Sequence, residues 1–382
     1  MSLRGVNLGS WLLMEGYILG GRNIPEHVFK KRFVRTYGKK ELSKFENEFR
    51  NSFIAEGDLK RISSWKASCV RVPFNYRLIE KSPYKYSEKG LMILKRLVSW
   101  AKKYKLYIIL DLHAGPGSQN ADWHADSSGK ALLWKKPSFQ ERTFALWQYL
   151  ANEFKDEASV YGYDVLNEPV LEKDKISLLK SFYGKLINKI REVDKNHTIF
   201  LEGNLWAQEI DFLKDLLNEK IAVSIHTYQP LDFTFNFRPG YRYPGYINKV
   251  FWDKSVLKKS LERYKIFSQR NSVDVFVGEF GINYRAGLFG ELNWLKDLLD
   301  IFKKWGFSWT YWTYKAVANH VFPDGIMQYL ENEPWVKREA NVRGWENFLN
   351  LWQKSSLKVI SSLKSRSFTE NRDVLNILKK YF

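Results

Sequence analysis

Val160-Tyr161-Gly162-Tyr163-Asp164-Val165-Leu166-Asn167-Glu168-Pro169 and Val273-Asp274-Val275-Phe276-Val277-Gly278-Glu279-Phe280-Gly281 are built alike: a strand-like apolar run closes on a glutamate. A carboxylate just past a hydrophobic strand sits at the strand's C-terminal end, where parallel α/β architectures build their active sites. A single Glu among 42 acidic residues is ordinarily a solvated surface charge. Two of them at strand ends, flanked by Gly or Pro, can face each other across a cleft.

Working outward, eight short β-branched or aromatic runs recur, at residues 4–8, 67–73, 106–112, 160–166, 198–201, 221–226, 273–277 and 307–312. Helix-period segments separate most of them, at 91–104, 139–154, 176–193, 207–217, 255–269 and 292–305. Alternating strand and helix favours a parallel sheet. Eight pulses predict a closed (β/α)8 TIM barrel, a single domain over residues 1–382, with an open doubly wound sheet as the alternative. The gap from 15 to 66 is too long for one crossover and predicts an added helix at 41–53 and an active-site loop. Residues 229–246, rich in aromatics, Pro and Gly, read as a second long loop. The tail predicts helices near 345–363 and 374–381.

Composition narrows the function. The one cysteine, Cys69, excludes an intrachain disulfide and any multi-cysteine metal site, and its apolar setting predicts a buried small hydrophobe. No apolar run approaches a membrane span, so no membrane partner is expected. The N-terminus enters a strand at once, which predicts a cytoplasmic chain, or a secreted one whose signal is already removed. The formal charge of +19 is dispersed over Lys-rich segments such as 254–265 and 354–364, with no nucleic-acid motif, so no nucleic-acid partner is expected. The six histidines form no HExxH or paired zinc spacing, and Ser128-Gly129-Lys130 lacks a P-loop's preceding glycine; no metal and no cofactor are predicted. A monomer is expected.

The expected strand ends collect an unusual set: Arg71, His113, Asn167, Glu168, Glu202, His226, Tyr228, Glu279 and Trp312. Taken singly, each has a structural explanation. Polar groups gathered at one rim of an apolar barrel are costly unless paired there. The chemistry suggests roles for cleavage of a glycosidic bond. Glu279, near Arg71 and Tyr228, would be held ionised as a nucleophile. Glu168 would be kept partly protonated, by burial and a neighbouring negative charge, as the general acid. Asn167 can donate to a sugar hydroxyl, and Trp312 offers a flat face to a glucose ring.

These residues sit in stretches that resemble glycoside hydrolase family 5, the retaining clan-A β-glycosidases. The matching stretches are Arg4-Gly5-Val6-Asn7-Leu8-Gly9-Ser10-Trp11, Arg71-Val72-Pro73, Asp111-Leu112-His113, Asn167-Glu168-Pro169, His226-Thr227-Tyr228, Gly278-Glu279-Phe280-Gly281 and Tyr311-Trp312-Thr313-Tyr314-Lys315. They run through nearly the whole chain in family order. The resemblance implies Glu168 as acid/base and Glu279 as nucleophile. It also implies Arg71, His113, Asn167, His226, Tyr228 and Trp312 as substrate-site residues.

The opening motif through Glu15 and the loop Gly115-Pro116-Gly117-Ser118-Gln119-Asn120 look most like the exo-β-1,3-glucanase branch. That likeness implies Glu15 and Asp126 as grips on a terminal glucose of a β-glucan or oligosaccharide. The third loop departs from the pattern, being longer and carrying Ser127 where Asn is usual. Endo-acting β-1,4-glucanases and β-mannanases share the scaffold and are the alternatives, with a carbohydrate-binding pseudoenzyme as the non-catalytic one. Asn332-Glu333-Pro334 repeats the tripeptide beyond the eighth run and reads as a surface turn.

Overall fold

A computed structural model describes residues 2–317, 320–329 and 344–382; Asn332-Glu333-Pro334 lies outside the described residues. Each of the eight runs forms a strand: β1 (Arg4–Asn7), β2 (Cys69–Asn75), β3 (Tyr107–Ala114), β4 (Val160–Asp164), β5 (Thr198–Glu202), β6 (Ile221–His226), β7 (Val275–Phe280) and β8 (Ser308–Tyr311). They pair in parallel and close in the order β1-β8-β7-β6-β5-β4-β3-β2. Closure leaves no free edge.

The crossovers are helices α1 (Glu26–Phe53), α2 (Glu56–Ser64), α3 (Glu88–Lys103), α4 (Pro137–Phe154), α5 (Ile176–Arg191), α6 (Lys254–Asn271) and α7 (Glu291–Trp305). In α3, Leu91, Leu94, Leu97, Val98 and Ala101 recur at helical spacing and are buried. Burying each Leu or Val contributes about 1.5–3 kcal/mol. The Ser87 hydroxyl caps this helix by accepting from the Gly90 amide at 3.2 Å. A Leu94→Asp change would put a charge into that seam.

The helix expected at 41–53 is the second half of α1, which breaks at Gly38 (φ 84°). Phe29, Phe33, Phe45, Phe49 and Phe53 are buried along α1. Phe33 and Phe45 set their rings against Trp352 of α8 (Gly344–Leu363), which α9 (Arg372–Leu378) follows. The helix expected at 207–217 does not form. Leu205, Trp206 and Ala207 take positive φ, and only a 3-10 helix, Asp211–Leu216, follows. The Asn204 side chain at the start of this turn is tied to the loop after β4: it accepts from Leu171 N at 2.8 Å and donates to Leu171 O at 2.9 Å. Among the described residues, no helix is long and apolar enough to cross a membrane.

Side chains alternate along a strand, so residues two apart share a face. Leu3, Cys69, Ile109, Phe200, Ala222 and Phe276 form a separate buried apolar cluster across the strands. Cys69 is therefore packing, and burial pushes its thiol up to about 12. Two residues on lie Arg71, Asp111, Glu202 and Ser224, all buried. The barrel interior thus changes from an apolar layer to an ionic one in a single step of the strand period.

Candidate active site

Arg71, fully buried, is the hub of the ionic layer. Its Nε lies 2.8 Å from Asp164 Oδ2, its Nη1 2.9 Å from Glu279 Oε1, and its Nη2 3.0 Å from Glu202 Oε1 and 3.1 Å from Asp111 Oδ2. It also donates to Asn167 Oδ1 at 2.9 Å and to Asn7 Oδ1 at 3.1 Å. Burial alone would lower its pKa, but the four carboxylates raise it well above the ordinary value. Asp164 moves the other way: burial and Glu202 raise it well above the usual carboxylate range despite Arg71.

Glu279 is held from two sides, by Arg71 and by the Tyr228 hydroxyl, which donates to Oε2 at 2.8 Å. A register shift in β7 between Val277 and Glu279 places it there. Such a bulge adds one residue on the inner face and re-aims the next side chain. Gly278 makes this feasible, because a Cβ there would stand 2.9 Å from His226 Nε2 and Ser224 Oγ.

Glu168 follows β4 with φ 47°, its amide donating to Glu202 Oε2 at 2.6 Å. Its Oε1 lies 2.7 Å from His226 Nδ1 and its Oε2 3.6 Å from His124 Nε2. Burial raises the Glu168 pKa, but the hydrogen bond and charge of His226, with His124 and His113 behind it, bring it below the usual range. This corrects the expectation of a partly protonated Glu168. The proton is instead drawn to His226, whose pKa burial would lower but Glu202, Glu279 and the Glu168 bond raise well above 6.5. A histidine–carboxylate pair sharing one proton can still deliver it to an oxygen that begins to carry charge. An oxygen or nitrogen of each of Glu168, His226 and Glu279 lies within 4.8 Å of the other two.

On the far side, His113 Nδ1 pairs with Asp111 Oδ2 at 2.7 Å, and its ring stacks on Trp312 at 5.5 Å and 10°. Asn167 Nδ2 is 3.5 Å from His113 Nε2. Glu15 stands behind them, 2% exposed, its Oε1 3.5 Å from His113 Nε2 and without a hydrogen bond among the described residues. Burial first, then the charges of Glu279 and Glu168, raise its pKa to about 7 against the pull of His113 and His124.

A cavity of about 580 Å³ joins these groups, lined by Glu15, His113, Glu168, His226, Tyr228, Glu279 and Trp312. Arg71 and Asn167 lie beneath it, bonded to the residues that line it. The third loop contributes Trp123 and His124. Asp126 is a correction: it does not line the cavity. Its carboxylate binds the His27 amide and Nδ1 at 2.7 Å, Asn75 Nδ2 at 3.0 Å and Arg77 Nε at 3.0 Å. The loop is longer than the branch pattern, and this residue ties it to α1 instead of reaching a sugar.

Sequence reading placed Glu202 at a strand end without giving it a role and left Asp111 and Asp164 out of the candidate site, and the strand period at Arg71 was the signal that could have found them. It also missed Tyr17, Trp206, Phe235, Phe237 and Phe322 on the cavity wall; loop aromatics carry no period.

Known proteins show the family and the fold. The family description "Cellulase (glycosyl hydrolase family 5)" matches residues 34–317. The chain is 31% identical over 331 residues to a beta-xylosidase of Phanerodontia chrysosporium, covering 83% of this chain and 67% of that one. It is 26% identical over 311 residues to Endoglucanase C of Acetivibrio thermocellus (73% and 89%). It is 26% identical over 243 residues to a probable glucan 1,3-beta-glucosidase A of Aspergillus fumigatus (60% and 56%). The solved endoglucanase Cel5A of Thermotoga maritima shares the fold, with TM-score 0.64 at 20% identity, over 98% of this chain and 96% of that one.

Proposed function

As the chain belongs to glycosyl hydrolase family 5 and is a glycoside hydrolase, we propose that it removes single glucose units from the ends of β-glucans, β-gluco-oligosaccharides and small β-glucosides, preferring β-1,3 links. The observation that carries this reading is the shape of the cavity. Of its lining residues, Glu15, Tyr17, His113 and Trp312 are all buried, whereas Trp206 and Phe237 are exposed, which supports a pocket closed around the first group and open at the second. A blind end favours one terminal sugar over a chain passing through. The unsatisfied Glu15 oxygen at that end suits a sugar hydroxyl. Likeness to the glucan 1,3-beta-glucosidase supports the linkage, and likeness to Endoglucanase C supports the alternative of internal β-1,4 cleavage.

The proposed mechanism is a retaining double displacement. Glu279 attacks the anomeric carbon while the proton shared by Glu168 and His226 passes to the leaving oxygen. Glu168, as carboxylate, then takes a proton from the water that hydrolyses the glycosyl-enzyme ester. The separation of the carboxylates, with oxygens within 4.8 Å, supports retention: retaining pairs stand about 5–5.5 Å apart, and inverting pairs about 6.5–9.5 Å. Products from laminarin, carboxymethylcellulose, xylan and mannan, followed over time by chromatography and anomeric proton NMR, test both points. β-Glucose released from laminarin is the expected result. A rapid viscosity drop without free glucose, or an α-anomer as first product, would overturn it.

A further inference from the structure

The mouth of the cavity has two unlike walls. One carries Gln208, Ser260 and Arg263, the other Leu231, Phe235, Phe237, Phe322 and Pro323. On the apolar side the Phe235 ring lies 5.3 Å from Phe237 and 5.4 Å from Phe322, and 4.8 Å from Tyr228 at the reaction centre. Leu231 and Phe237 are 40% and 44% exposed.

A hairpin, Gly245–Ile247 paired with Val250–Trp252, is joined to the loop that carries Leu231 and Phe237. Tyr246 and Phe251 are cross-strand partners with rings 5.2 Å apart, 71% and 48% exposed. The turn of the hairpin is fastened to the mouth loop. Asn248 donates to Asp232 and accepts from the Tyr241 hydroxyl at 2.9 Å and from Arg238 Nη1 at 3.1 Å. An apolar surface running from an active-site mouth onto solvent marks something that covers it in use.

Its continuity with the cavity identifies the occupant. With the sugar at the blind end, whatever remains on the glycosidic oxygen must leave through this mouth. A glucan leaving group carries hydroxyls on its whole edge, and Leu231, Phe235, Phe237, Phe322 and Pro323 offer their side chains no hydrogen bond. Phe235, Phe237 and Phe322 are flat rings on which a sugar face can stack, but Leu231 and Pro323 between them are not, and the wall as a whole suits an apolar group better. We propose that this wall and hairpin bind an apolar aglycone, so that β-glucosides of long-chain alkyl or terpenoid alcohols are substrates beside glucan ends. The proposal rests on the terminal-glucose reading above.

The test compares glucose release from methyl and octyl β-D-glucoside, the latter below its micellar concentration, by the whole protein and its variants. The expected kcat/KM for the octyl compound is at least ~10-fold above that for the methyl compound, from burial of several methylenes. In Phe237→Ser and Phe251→Ser the ratio falls toward one, and Phe237→Leu recovers part of it. Equal rates on both glucosides would overturn the aglycone site while leaving the terminal-glucose reading intact. Release from neither would overturn that reading and this proposal together. A Phe251→Ser change that splits a dimer and leaves the ratio unaltered would assign the hairpin to a second copy, and would overturn it too.

Discussion

His226 Nδ1 stands 2.7 Å from Glu168 Oε1, so the Glu168 carboxylate shares a proton with a buried imidazole. Because the His226 pKa is raised and that of Glu168 lowered, the pair loses its proton only well above the ordinary histidine range. The alkaline limb of kcat/KM against pH should therefore lie well above 6.5. In His226→Gln the limb should move toward acid, since Glu168 alone must then hold the proton. A limb that stays in place would show that His226 has no share in it.

Glu15 yields a stability test. Its pKa is raised to about 7 from 4.5, so the folded state binds a proton that the unfolded state releases between those values. Stability from this group is fully present below about 4.5 and is lost as pH rises through 7. At pH 8, Glu15→Gln should be more stable than the parent, by no more than about 3 kcal/mol, with weaker glucoside binding. Melting temperatures at pH 4.5 and 8 check it: the gain should appear only at the higher pH.

Glu279→Ala should lose several orders of magnitude in rate, and azide should restore turnover by forming the glycosyl azide of inverted configuration. Glu168→Ala should hurt most on substrates with poor leaving groups, which need protonation, and least on dinitrophenyl glycosides. Steady-state kinetics and NMR of the azide product read both effects. An inverted product from the parent enzyme would sink the double displacement.

Removing the Arg71 cation by Arg71→Met would leave Asp111, Glu202 and Glu279 buried around an apolar side chain. Breaking a buried ion network on one side costs about 3–5 kcal/mol. The variant should unfold at clearly lower urea concentration, or fail to accumulate folded. Unaltered urea unfolding would mean that the carboxylates are neutral already.

The barrel was legible because all eight strand runs are short and apolar and the helices between most of them keep their period. The crossover after β5 was not, because three positive-φ residues stand there in place of a helix. At the site, residues closing strands could be placed from sequence; residues inside a strand, such as Asp111 and Asp164, read as ordinary strand positions. The protonation of Glu168 was misjudged for a related reason. It depends on His226, 58 positions away and brought into contact by the curvature of the sheet across β4, β5 and β6.

The apolar layer under Arg71 has a consequence for the reach of electric fields. Cys69, Ile109, Phe200, Ala222 and Phe276 form a buried apolar plug on the side of the charges away from the cavity. Lines of force between Arg71 and its carboxylates then run through unpolarisable material rather than being quenched from below. A truncation such as Phe200→Ala, touching no charged group, would admit solvent from the opposite end of the barrel. It would weaken the whole constellation at once, as a leak lowers the pressure everywhere in a sealed vessel.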